Sequence, residues 1–153
     1  MKQVKVMQVQ TKSMGVVTVP QERIITLPTG LFGFEEYTDF ALIDSEYKPL
    51  IWLQSMQDKN LAFLLIDPFI ICAEYEVDVD DKTLARIGIT DPSDVIVFSI
   101  VTVPQDGRPV TANLQGPLII NRKNNKCMQA ILSDPKWTTK HNIIEALRKR
   151  GEK

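Results

Sequence analysis

The densest chemistry in the sequence is acidic. Residues 74–81 read Glu74-Tyr75-Glu76-Val77-Asp78-Val79-Asp80-Asp81, and Asp67 lies a short way upstream. Carboxylates at this density could hold a hard cation that activates water, so one reading is a small carboxylate-based, metal-dependent β-barrel enzyme using Asp67, Asp78 and Asp80. The glycine and closing glutamate of a calcium loop are missing from the run. The one histidine, His141, cannot build a multi-histidine site or serve a Ser-His-Asp triad in the body of the chain. Cys72 stands in Ile70-Ile71-Cys72-Ala73, where apolar neighbours raise a thiol pKa and blunt its reactivity. With Cys127 it makes two cysteines, too few for a disulfide scaffold or a zinc site. Gly30 and Gly33 share a proline-containing turn and are read as residues that supply positive φ, not as a phosphate loop. No cofactor site and no metal site is expected from these residues.

The acidic run has a second use. Its alternation sets Glu74, Glu76, Asp78 and Asp80 on one face of an extended segment and Tyr75, Val77 and Val79 on the other. Such a face repels anions and attracts basic partners. The formal net charge of −1 hides the same division: residues 24–120 carry five Lys/Arg and fifteen Asp/Glu, while residues 121–153 carry nine Lys/Arg and three Asp/Glu. Aromatics are 7% of the chain, and no basic run is interleaved with stacking residues, so direct nucleic-acid binding is not expected.

Short β-branched runs ended by turn signals must position these groups. Strands are predicted over residues 4–10, 15–19, 24–27, 40–43, 50–54, 61–66, 95–103, 118–120 and 128–132, with 121–125 as a hairpin loop. The near-continuous apolar run 95–103 predicts a central strand buried on both faces. A short helix is predicted over residues 80–87, opened by carboxylates and stopped by Gly88, and a basic amphipathic helix over 139–149, with Ile143, Ile144 and Leu147 on its apolar face. The pattern specifies a mainly β fold: a compact, single-domain, antiparallel β-barrel-like body over residues 1–136 followed by a basic amphipathic tail over 137–153. The apolar runs fall well short of the roughly 20 residues a membrane helix needs, and residues 1–10 alternate where a signal peptide would be continuously apolar. A cytoplasmic monomer without membrane contact is expected.

Several blocks carry a resemblance. Residues 15–35, ending Leu27-Pro28-Thr29-Gly30-Leu31-Phe32-Gly33-Phe34-Glu35, are similar to the N-terminal half of the flagellar assembly factor FliW family, which runs from a β-hairpin into a proline-glycine turn. Trp52-Leu53-Gln54-Ser55, residues 61–69, Tyr75-Glu76-Val77-Asp78 and residues 112–121 resemble further family blocks in the same order, so the likeness extends from about residue 4 to residue 134. Phe32 departs from a proline common in the family, and Trp137-Thr138-Thr139-Lys140-His141-Asn142 departs from its usual ending.

The resemblance implies a non-enzymatic, β-barrel-like partner switch. FliW-like proteins bind the translational repressor CsrA and prevent it from blocking flagellin mRNA, and flagellin competes for them. The candidate partner-binding residues are those a barrel does not need: Phe32, Glu35, Glu36 and Tyr37 in the turn, and Asp67, Phe69, Glu74, Tyr75 and Asp78 around the acidic run. Aromatics beside carboxylates offer an anchor together with charge complementarity.

Overall fold

The computed structural model describes residues 5–151, so the expectations placed on Val4 and on residues 152–153 lie outside the described residues. Eleven strands form: β1 (Val6–Gln10), β2 (Val16–Pro20), β3 (Ile24–Thr26), β4 (Asp39–Asp44), β5 (Ile51–Ser55), β6 (Ala62–Ile66), β7 (Val95–Thr102), β8 (Thr111–Ala112), β9 (Leu118–Asn121), β10 (Lys126–Gln129) and β11 (His141–Asn142). Three helices accompany them: α1 (Pro68–Ile71), α2 (Asp81–Ala85) and α3 (Ile143–Gly151).

Period-two alternation decides what closes inside. Ile25 stands opposite Phe40, Leu42 opposite Leu53, Ile51 opposite Leu65, Leu65 opposite Ile100, Phe98 opposite Leu118 and Ile120 opposite Cys127. These side chains share one face of every strand, and they curl into the interior of a seven-stranded barrel in the order β7-β6-β5-β4-β3-β10-β9, closed by β9 on β7. The ladder is antiparallel except where Lys126 meets Thr26 in parallel.

The outer face of the barrel is covered by three satellite clusters. The β1–β2 hairpin lays Val9 and Val19 over Ala41 and Ile43. Ile87 and Ile89 cover Ile119. Tyr75, Leu114, Trp137 and Ile143 cover Ile66 and Val101. The last cluster runs through the expected division at residue 136: Trp137 and Ile143 are buried, β11 pairs with β8, and α3 rests on α1. Trp137, β11 and the start of α3 are therefore packed into the same body.

Several expectations shift. The strand expected over 128–132 begins earlier, because Asn125 takes φ 58° and closes the β9–β10 turn, while Ala130 and Leu132 donate to Pro117 and Gln115 outside the ladder. β7 is not buried on both faces, since Ile96 is 38% exposed at a part of the strand with a neighbour on one side only. The helix α1 was not foreseen; it begins where the Asp67 carboxylate accepts the Phe69 N–H at 2.9 Å and Pro68 takes the first helical position.

Candidate partner-binding surface

The acidic run leaves α1 without joining a strand, yet its alternation survives. Glu74, Glu76, Asp78 and Asp80 are exposed, and Tyr75, Val77 and Val79 turn toward the barrel. Tertiary anchoring replaces strand pairing as the cause. The Tyr75 hydroxyl donates to the Leu114 carbonyl at 2.6 Å, and its ring meets Trp137 edge-on with centroids 4.8 Å apart. Tyr75 is 4% exposed, which corrects its placing among the contact residues: it holds the acidic run onto the barrel and offers a partner nothing.

Beyond this anchor the run forms one wall of a groove of about 830 Å³. Val77, Val79 and Leu84 stand on that side, Val95, Val97 and Ile119 on the barrel, and Phe69, 46% exposed, at the edge. Asp81 lines the groove, with Asp78 and Asp80 beside it in sequence. Asp80 caps α2 by accepting the Thr83 N–H at 2.7 Å, and the Thr83 side chain and amide hold its carboxyl below the usual range. Asp91 is lowered in the same way by the Ser93 N–H. Both are ionised at neutral pH and adjoin lining residues in sequence, so together with Asp81 they make the chain around the apolar floor acidic.

The turn residues lie elsewhere, at one mouth of the barrel. Gly30 takes φ 69°, Leu31 is buried, and Phe32 projects with 56% exposure. The Phe32 N–H donates to the Gln129 side-chain carbonyl at 3.0 Å, and the Gln129 amide donates to the Gly116 carbonyl, which clips the turn to β10. Phe34 meets Phe63 edge-on at 5.2 Å. Phe32, Phe34, Phe63, Ile100 and Ile131 line a space of about 530 Å³ whose one charged lining residue is Lys140. Glu35 accepts the Gly33 N–H, which lowers its carboxyl pKa; Glu36 is exposed, and Tyr37 is half-buried against the barrel core.

The nine candidates thus do not share one site. Phe32 lines the neutral mouth, with Glu35 and Glu36 exposed a few residues on; Phe69 lines the acidic groove, with Asp78 adjoining its lining residues in sequence; Glu74 lines a separate hollow with Cys72, Lys140 and His141; and Asp67 spends its carboxylate on capping α1. Ile131 was not among the candidates, yet it is 66% exposed between buried Ala130 and Leu132; three apolar residues in a row carry no alternation that would single it out. Among the described residues no three His, Cys, Asp or Glu side chains stand together as metal ligands. Asp67 and Asp80, two of the carboxylates offered for a metal-dependent enzyme, are directed at backbone N–H groups. Cys72 is buried beside Glu74, and both features raise its thiol pKa.

A closed barrel with covered outer walls, an acidic groove and a neutral mouth defines a protein with surfaces for docking. The sequence model of the FliW protein family matches residues 8–143. Flagellar assembly factor FliW of Treponema denticola is 51% identical over 95% of this chain and 99% of its own length, and that of Treponema pallidum is 49% identical over 94% and 96%. A crystal structure of the flagellar assembly factor FliW superposes with a TM-score of 0.81 at 36% identity, covering 90% of this chain and 96% of that one. The chain belongs to the FliW family of flagellar assembly factors.

Proposed function

We propose that this chain is a cytoplasmic, monomeric partner-switching regulator: it binds the translational repressor CsrA, relieves repression of flagellin translation, and is itself occupied by flagellin. The observation that carries the reading is the apolar groove lined by Asp81, with the exposed Asp78 and Asp80 adjoining its lining residues in sequence. An apolar floor supplies affinity, and ionised carboxylates beside it select a basic partner. A negative body held against an RNA-binding protein raises the electrostatic cost of bringing in phosphate, so repression weakens even where the RNA site stays open. A role as a factor that only holds flagellin before export fits the neutral mouth, where Phe32 and Ile131 project around a nearly uncharged hollow. A competition pull-down separates the two. The regulator reading expects a stoichiometric complex with a purified CsrA homologue, weakened by salt and displaced by flagellin; no complex at micromolar concentrations rejects it.

A further inference from the structure

Strand β7 changes neighbours halfway along. Ser99 is the last β7 residue opposite β6, facing Ile66, because Pro68 then turns the chain into α1. Val95 to Phe98 pair with β9 on one side, and no strand among the described residues pairs with them on the other. In an antiparallel ladder each residue directs its N–H and C=O to the same side, and successive residues alternate. The Arg122 N–H donates to the Asp94 carbonyl at 2.9 Å, so Asp94, Ile96 and Phe98 turn toward β9. Val95 and Val97 turn toward the open side. The Val95 N–H is taken by the Pro92 carbonyl, which leaves the carbonyl of Val95 and both backbone groups of Val97 facing the gap.

Hollows flank this edge on both faces. Val95 and Val97 line the acidic groove, and Ile96 and Phe98 line a second hollow of about 510 Å³ at the other mouth of the barrel. Proteins commonly guard such edges with lysine, proline or a bulge, and Val95 to Phe98 carry none of these charges or prolines.

We infer that Val95 to Phe98 receive an extended, apolar segment with Lys/Arg flanks, supplied by a protein partner, as an added antiparallel strand. The added backbone pairs with Val97, and its alternate side chains enter the two hollows, as in recognition by strand addition. Charge decides the flanks on the groove side: Asp81 lines it and Asp78, Asp80 and Asp91 adjoin its lining residues against Lys82 and Arg86, whereas Glu22, Arg23, Arg122 and Lys123 line the second hollow, so the Lys/Arg flanks fall on the groove side. Charge also argues against a second copy of this chain, because pairing two β7 edges would bring two acidic rims together. The inference goes beyond the proposed function by stating a mode of recognition, and it stands whichever protein supplies the segment.

The test is an NMR titration of the isotope-labelled full chain with three synthetic peptides. One is KKVTVTVKK, one is its acidic counterpart EEVTVTVEE, and one is KKVTPTVKK, whose proline removes the central donor. The expected result is that the basic peptide shifts the amides of residues 95–98 and slows exchange of the Val97 N–H about tenfold, with the other two peptides at least about tenfold weaker. Equal binding by the proline peptide, shifts confined to other residues, no shift up to about 2 mM, or self-association in place of peptide binding overturns the inference. Val97→Pro removes a donor that β9 does not use and is expected to abolish peptide binding with the melting temperature kept. If that variant fails to fold, Asp78→Lys combined with Asp81→Lys is expected to weaken the basic peptide about tenfold, and unchanged affinity overturns the inference.

Discussion

The phenol of Tyr75 donates to the carbonyl of Leu114 at 2.6 Å, joining residues 39 positions apart and fastening the acidic run to the barrel. Leu114 is buried, so its carbonyl has no water to fall back on when the phenol is lost. Tyr75→Phe keeps the ring against Trp137 and removes only the donor. The expected cost is about 1–2 kcal/mol, read as a lower denaturation midpoint with an unchanged m-value.

The turn at Gly30 supplies a second expectation. A Cβ there would stand 2.5 Å from the Glu35 Cα, and φ is +69°. Gly30→Ala therefore meets both backbone strain and a clash with main chain that cannot rotate away, and a loss above about 2 kcal/mol is expected from chemical denaturation. Gly33 also has positive φ, at +88°, but an added Cβ meets open space. Gly33→Asn, a residue that tolerates the left-handed region, is expected to cost clearly less.

Much of this architecture was legible in the residues, and the misses share a cause. Short β-branched runs bounded by turn signals located β3 to β6, because a strand needs residues that pack on a pleated surface and a turn to end it. The two-residue strands β8 and β11 leave no such run, and only their pairing across 29 positions, Ala112 with His141, makes them strands. The α1 helix was hidden inside an apolar stretch, although Asp67-Pro68 is a readable helix start. In the acidic run, the alternation set Tyr75 on the face of Val77 and Val79, as observed, but its placing among the contact residues overlooked the anchor to Leu114, which is remote in sequence. The groove itself needed Val77, Val95 and Ile119 brought together from three segments.

Alkaline pH should destabilise the fold in two stages. Burial raises the thiol pKa of Cys127 and, with Glu74, that of Cys72; burial likewise raises the phenol of Tyr75. Each group is held neutral in the folded state and ionises more easily unfolded, so its contribution is intact below the unfolded pKa and declines as pH rises above it. Unfolded thiols ionise near about 8.5 and tyrosine near about 10. The melting temperature is expected to begin falling past about pH 8.5 and to fall more steeply past about pH 10. Cys127→Ala lowers overall stability by opening a cavity but should flatten the first stage, while Tyr75→Phe flattens the second. A profile with the same shape in the wild type and both variants would contradict this assignment.

Adjacent isoleucines on α3 test whether the basic end belongs to the body. Ile143 is 2% exposed inside the cluster of Tyr75, Leu114 and Trp137, and Ile144 is 57% exposed. Ile143→Ala is expected to cost about 2–4 kcal/mol, and Ile144→Ala at most about 0.5 kcal/mol. Equal small effects would mean that α3 lies off the barrel in solution.

Carboxylates that touch a partner can be separated from carboxylates that hold the fold. Asp67, Asp80 and Asp91 cap turns of helix, so replacing them disturbs folding and binding together. Glu74, Glu76 and Asp78 are exposed and cap no helix, Glu74 accepts only the long Cys72 thiol contact at 3.9 Å, and the inward positions Tyr75, Val77 and Val79 stay intact when they change. Reversing the three to lysine shifts the local charge by six and leaves the anchor in place. The expected outcome is a complex with a CsrA homologue weakened at least about tenfold at low salt, with the difference narrowing as ionic strength rises, because screening removes the contribution of exposed charge first. Far-UV circular dichroism and the melting temperature should remain close to wild type. Calorimetric titration of both proteins at two salt concentrations checks this, and equal affinity at low salt would place the basic partner away from the acidic run.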